Sequence, residues 1–352
     1  MKKWIKRTGV VIGAVVGILI LAAAGATLYS LIGYRKTWDV PLPSTRSSKD
    51  SASITRGRYI VYGPGRCADC HAPDAVRPQL FLGKEVPLTG GPGETTYLGT
   101  WSAPNLTPDS ATGLGAVSDG QLARMLRHGV NREGRTALPF MDAYANLSEQ
   151  DLVDIMSFLR SLPPAPGVPP AHRINLLGKI TLAYFIKPYA PRATPPDSLT
   201  PGVTVPYGRY IANTLGGCEA CHTARNLHTG EYLSPFFSGG LPFHSRQHPG
   251  YVYVSPNLTP DSATGRITLW NEEEFILRFR KGLLIPDSPM PWGGFSRMTD
   301  TDLRALYLYL HSLAPVHRDN GPVFQPVTSV GCSISSCRPA SSDGYRPVSS
   351  LN

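Results

Sequence analysis

The sequence predicts a mostly α-helical protein in which one domain is written twice behind a membrane-spanning helix. Three observations carry that reading. First, Gly57-Arg58-Tyr59-Ile60 recurs as Gly208-Arg209-Tyr210-Ile211, and Pro104-Asn-Leu-Thr-Pro-Asp-Ser-Ala-Thr-Gly113 recurs letter for letter from Pro256 to Gly265. The offsets stay between 149 and 152, so the chain carries a duplication. Second, helix-capping residues precede apolar residues at helical spacing in both copies. Third, an uncharged, mostly apolar run from Thr8 to Gly33 opens the chain, longer than the roughly 20 residues a spanning helix needs.

The first segment, residues 1–36, reads as a cytoplasmic stub and signal anchor. Lys2, Lys3, Lys6 and Arg7 precede the apolar run, and that cationic flank keeps its end in the cytoplasm. A cleaved signal peptide competes with this, since Ala24-Gly-Ala26 matches a small-residue cleavage site. The run continues through Leu28, Leu31 and Ile32, which favours an uncleaved anchor. Residues 37–50 form a linker.

Residues 51–165 and 201–317 are the two copies, each about 115 residues, a usual domain size. In each, a short helix carries Gly-Arg-Tyr-Ile. A second helix is expected over Asp119–His128, answered by Asn271 to Lys281. A third opens at Ser148-Glu-Gln-Asp151, an N-terminal cap followed by Leu152, Ile155, Phe158 and Leu159, one apolar face of a helix. Its counterpart opens at Thr299-Asp-Thr-Asp302 and runs through Leu303, Leu306 and Leu310. Phe158-Leu-Arg-Ser-Leu162 answers Tyr309-Leu-His-Ser-Leu313. Long Gly/Pro-rich loops join these helices and need something large to wrap. Residues 166–200 read as a Pro-rich, semi-rigid spacer. Its apolar island, Ile174 to Ile186, is expected to be a short helix or strand packed across the domain interface, the competing reading being a second membrane contact. Asn175 and Lys179 interrupt it, and it is too short to span. The tail, 318–352, is expected to have little regular structure.

Cys67-Ala-Asp-Cys70-His71 and Cys218-Glu-Ala-Cys221-His222 lie 151 residues apart, one in each copy. Cys-x-x-Cys-His is the attachment signature of c-type haem: two thiols reach the two vinyl groups of one porphyrin, and the adjacent imidazole enters the iron's fifth position. A thioredoxin-like redox pair does not need the histidine, and a zinc site would want two more ligands nearby. Two covalently bound haem c groups are therefore expected. The remaining iron position decides between electron transfer and ligand binding. Met290, in Ser288-Pro-Met-Pro-Trp292, and Met141, in Leu138-Pro-Phe-Met-Asp142, stand before the last helix of each copy and are the expected sixth ligands. Met298 precedes a cap, and Met125 and Met156 lie on expected helices, where methionine usually fills core. His128 ends a helix and is matched by Lys281, which argues against a shared ligand role; His228, His244, His248 and His311 have no partner in the other copy and read as surface or loop residues. His71 and His222 also need an acceptor for their second ring nitrogen. The carbonyls of the duplicated Pro104 and Pro256 are expected to provide it.

Cys332 and Cys337 remain, and in an oxidising compartment a local disulfide is expected, a free dithiol being the alternative. The formal net charge is +9, brought towards roughly +5 by four haem propionates. Such a balance suits an acidic redox partner or ordinary surface near anionic lipid. No basic cluster points to nucleic acid.

With those residues in hand, both copies resemble class I cytochrome c domains, a three-helix core whose long loops wrap haem. Pro-Asn-Leu-Thr-Pro-Asp, the later Pro-Met-Pro and the closing Met-Thr-Asp-Thr-Asp-Leu helix are also similar to the cytochrome c subunits of membrane-bound alcohol and gluconate dehydrogenases. Those subunits usually carry three haems, where this chain has two motifs. The resemblance implies an electron carrier at the bacterial inner membrane, a single pass with its haem domains facing the periplasm. It would take electrons from a dehydrogenase subunit or quinol and deliver them to a cytochrome or terminal oxidase. The competing class is a dihaem enzyme of peroxidase or thiosulfate-oxidising type, which needs one ligand-exchangeable iron.

Overall fold

An unbroken helix, α1 (Lys2–Gly33), opens the computed structural model, which describes residues 2–226 and 230–329. Its stretch from Arg7 to Gly33 is long and apolar enough to cross a membrane and lies almost wholly exposed. The chain then divides into two compact units, Met1–Thr200 and Pro201–Asn352.

In the first unit α2 (Ser51–Tyr62) leads into the single turn α3 (Cys67–His71), followed by the short α4 (Arg77–Phe81), α5 (Asp119–His128) and α6 (Glu149–Ser161). The cap expected at Ser148 forms, its hydroxyl accepting from the Asp151 N–H at 3.1 Å; Ser118, which the sequence had not marked, closes a capping box with Gln121. Apolar Leu152, Ile155, Phe158 and Leu159 then fall on the buried face of α6. Helices α2 and α6 cross at Gly57, where a Cβ would lie 1.9 Å from the Asp154 carbonyl oxygen. Only glycine allows that approach, which is why the residue heads the repeated tetrapeptide.

The linker residues 166–200 are not a free spacer. The Glu149 and Gln150 N–H groups donate to the carbonyls of Pro196 and Asp197 at 3.0 and 2.9 Å, and the Tyr189 N–H donates to His128. The apolar island becomes a two-residue strand and α7 (Leu176–Tyr184), capped by Asn175. Within the first unit, Leu182 packs against Leu98 and Leu138.

The second unit repeats the plan. Helix α8 (Val205–Tyr210) continues as one π-helical turn, Ile211–Leu215, into α9 (Cys218–Cys221), then α10 (Glu272–Arg280), α11 (Trp292–Phe295) and α12 (Asp300–His311). Asn271 and Thr299 cap α10 and α12. Gly208 repeats the role of Gly57: a Cβ there would lie 1.9 Å from the Ala305 carbonyl oxygen at the α8–α12 crossing.

The loops also carry two small antiparallel sheets: β1 (Gly93–Thr96), β2 (Gly99–Ser102) and β3 (Arg173–Ile174) in the first unit, β4 (Pro242–His244), β5 (Tyr251–Val254) and β6 (Phe324–Pro326) in the second. Strand β6 is one ordered element in the described part of the tail, where Phe324 stacks on Tyr251 with ring centroids 5.0 Å apart. Cys332, Cys337 and His228 lie outside the described residues.

Candidate functional site

Each Cys-x-x-Cys-His motif is entered through a left-handed residue, Arg66 at φ 44° and Gly217 at φ 57°, which turns the chain sharply out of the preceding helix. Both cysteines of each motif are free thiols and, three positions apart on one helical turn, they present to the same side. Desolvation pushes the Cys67 thiol up to about 12, with Cys70 and Asp69 adding to the effect. A redox-active pair depends on a depressed thiol, so this environment opposes the thioredoxin reading. Burial also pushes the Asp69 carboxyl up to about 6; in the second motif the acidic residue stands one position earlier, where Glu219 accepts from the Tyr232 hydroxyl at 2.8 Å.

The imidazoles are oriented as the duplicated loop led us to expect. His71 Nδ1 lies 2.8 Å from the Pro104 carbonyl oxygen and His222 Nδ1 3.1 Å from that of Pro256. A carbonyl only accepts, so Nδ1 carries the proton and Nε2 keeps its lone pair for a metal. Burial lowers both imidazole pKa values, holding them in the neutral form that ligation requires.

The repeated decapeptide builds this arrangement. Asn105 Oδ1 accepts from the Thr107 N–H at 2.9 Å, while its Nδ2 donates to Thr112 Oγ1 and to the Ala165 carbonyl just past α6. Asn257 makes the same bonds to Thr259, Thr264 and Val316. Asp109 and Asp261 each accept from the backbone N–H and hydroxyl of the threonine three residues on, bonds that hold both carboxyls below their ordinary range. The loop thus ties the proximal proline to the segment leaving the closing helix. Ten identical residues reflect one hydrogen-bond network needed twice.

Met141 and Met290, both half-buried, sit in loops that are braced differently. Four residues before the cap of α6, Tyr144 donates its hydroxyl to the Gly65 carbonyl, just before the cysteine motif. Burial raises that phenol well above its usual range, so it remains a donor. Phe295 holds the equivalent place in the second unit, its ring 3.9 Å from where a Cβ on Gly216 would stand. There the brace is Trp292, under the Arg278 guanidinium at 3.5 Å and bonded through Nε1 to Ser288. Met298 is only 2% exposed and Met156 fully buried, both core residues. His128 is bonded to the Tyr189 carbonyl. His311, expected on a surface or loop, instead lies in the last turn of α12 with its ring 4.2 Å from that of Tyr307. Sequence reasoning did not single out Tyr144, Trp292 or the two asparagines, although the asparagines stood inside the exact repeat.

Among the described residues no three His, Cys, Asp or Glu side chains converge as a metal-ion site. The donor set of two neighbouring thiols and one oriented imidazole, present twice, fits a porphyrin held by thioethers. Phe140 beside Met141, and Leu284 and Ile285 a few residues before Met290, are exposed apolar side chains in the methionine loops.

No family model matches the chain. It is similar to a protein named dihaem cytochrome c-type from Cereibacter sphaeroides, 29% identical over 304 residues that cover 82% of this chain and 96% of that one. It is also similar to the cytochrome c subunit of the quinone alcohol dehydrogenase of Gluconobacter oxydans, 28% identical over 76% of this chain and 56% of the subunit. The cytochrome c subunit of gluconate 2-dehydrogenase from Pantoea cypripedii is 27% identical over 75% and 60%. The chain therefore spans little more than half the length of these dehydrogenase subunits, and nearly all of the dihaem protein.

Proposed function

We propose that this chain is a membrane-anchored dihaem cytochrome c. It relays electrons on the periplasmic face of the bacterial inner membrane, from a dehydrogenase or quinol donor to a downstream cytochrome or terminal oxidase. The observation that supports it most is the paired His–Pro carbonyl contact beside each Cys-x-x-Cys turn. Cys67, Cys70, Cys218 and Cys221 hold two haems by thioethers. His71 and His222 would each give the iron a nitrogen ligand, and Met141 and Met290 would each give it a sulfur. When bound, haem supplies one-electron chemistry between ferric and ferrous iron. The protein's own part is to keep both imidazoles neutral and oriented, to hold the methionine loops through Tyr144 and Trp292, and to cover the disc with apolar side chains. The dehydrogenase donor is supported by the names of the relatives, and the anchor by the length and apolarity of α1.

Visible spectra of the reduced full chain with and without carbon monoxide test this reading. Two covalent haems per chain and no change with the gas are expected, since both irons keep two protein ligands. A shift in about half the haem would replace the carrier by an enzyme with one exchangeable iron.

A further inference from the structure

Helix α7 is apolar on the face it turns to solvent. Gly178 and Leu182 are buried beneath it, yet Leu176, Leu177 and Tyr184 are exposed, and Phe185, just past its end, is 73% exposed. A short helix on a water-facing domain places polar side chains there. The one charged residue of α7 is Lys179, and its ammonium lies 5.3 Å from the centroid of the Tyr34 ring.

The same helix packs beside the C-terminal end of α1. The Tyr184 hydroxyl donates to the Ala26 carbonyl at 3.1 Å, and its ring meets Tyr29 at 5.2 Å. Counting about 20 residues from Thr8 puts the far edge of the hydrocarbon layer near Thr27. Tyr184 touches α1 one residue short of that edge, so α7 lies where acyl chains give way to headgroups. Tyr29 and Tyr34 contact α7 through Tyr184 and Lys179, and the chain leaving α1 continues with Arg35 against Tyr34 and with Lys36, its ammonium 4.2 Å from the Trp38 ring centroid. Amphipathic rings beside cations are what a membrane interface selects.

We infer that α7 is an interfacial helix resting on the periplasmic leaflet, with Leu176, Leu177, Tyr184 and Phe185 set among lipid headgroups and the first methylenes. The inference rests on reading α1 as an uncleaved anchor. It gives the first unit a second attachment to the bilayer and so limits its swing about the end of α1.

The experiment places the photoreactive residue p-benzoylphenylalanine at Phe185 in the full-length chain, with separate probes at Ile18 in α1 and Leu308 on α12, and illuminates native membranes. Phe185 is exposed, so the probe displaces no packing. Lipid adducts on the peptides carrying positions 18 and 185, at least tenfold above position 308, are expected. A protein adduct or none at Phe185, with lipid still captured at Ile18, overturns the interfacial helix and leaves the anchor standing. Equal lipid capture at Leu308 and Phe185 overturns it as well. No capture at either Ile18 or Phe185 overturns the anchor and the inference together.

Discussion

Tyr144 and Phe295 occupy the same place, four residues before the cap of the closing helix, but only the tyrosine has a hydroxyl to give. Its acceptor, the Gly65 carbonyl, also receives a weak contact from the Cys67 thiol at 3.7 Å. Thioether formation consumes that S–H and leaves the bond to Tyr144. Tyr144→Phe would strand a buried acceptor, a loss of about 1–3 kcal/mol. Urea unfolding followed through haem absorbance should show it, with the carbon monoxide response of the folded protein unchanged. A variant as stable as the parent would mean the bond contributes nothing. Met290→Ala is the opposite kind of change: the residue lies in a loop, so little stability depends on it, but one iron should lose its sulfur. About half the haem should then bind carbon monoxide; unchanged spectra would move attention to Met298. These residues differ in legibility for a physical reason. Cysteines, histidines and methionines announce their chemistry by type, whereas Tyr144 acts through a backbone oxygen that carries no sequence signature.

Helices were legible where they begin. Ser148, Asn271 and Thr299 each cap in space the helix that their sequence context marks, because a cap is a local contact among residues three apart. The two sheets were not legible. Their strands are two to four residues long, too short for an alternating pattern, and each third strand arrives from 70 or so residues away to satisfy an edge. The π turn at Ile211–Leu215 was likewise invisible, since the tetrapeptide before it is the same in both copies. Where two helices cross, however, the sequence does speak: Gly57 and Gly208 are retained in a position that tolerates no Cβ. Gly208→Ala would drive a methyl into the Ala305 carbonyl and force α8 away from α12. Overpacking of that kind costs about 1–3 kcal/mol or more, and thermal unfolding should show a markedly lower midpoint. A midpoint within a degree of the parent would mean the crossing is looser than its 1.9 Å approach implies.

At the scale of the whole molecule, the duplication was the most legible feature and the linker the least. A Pro-rich composition suggests a semi-rigid spacer but not what it binds, and residues 166–200 bond along the first unit, where the Pro196 and Asp197 carbonyls accept from the first turn of α6. Each decapeptide, by contrast, is tied to the segment leaving its own closing helix, Ala165 in one copy and Val316 in the other. Each imidazole is likewise oriented by a proline of its own unit. The hydrogen bonds described at each attachment site are made within its own unit, so the two should mature separately. The double variant Cys218→Ser and Cys221→Ser removes both thioethers from the second unit and leaves every contact of His71, Pro104 and Tyr144 in place. Covalent haem measured by the pyridine haemochrome should fall from two per chain to one, and the remaining haem should still resist carbon monoxide if Met141 is its ligand. Loss of both haems would show that the first unit needs the second in order to fold. Retention of one haem that binds the gas would leave the units independent but remove Met141 from the iron, making the first unit the seat of ligand exchange.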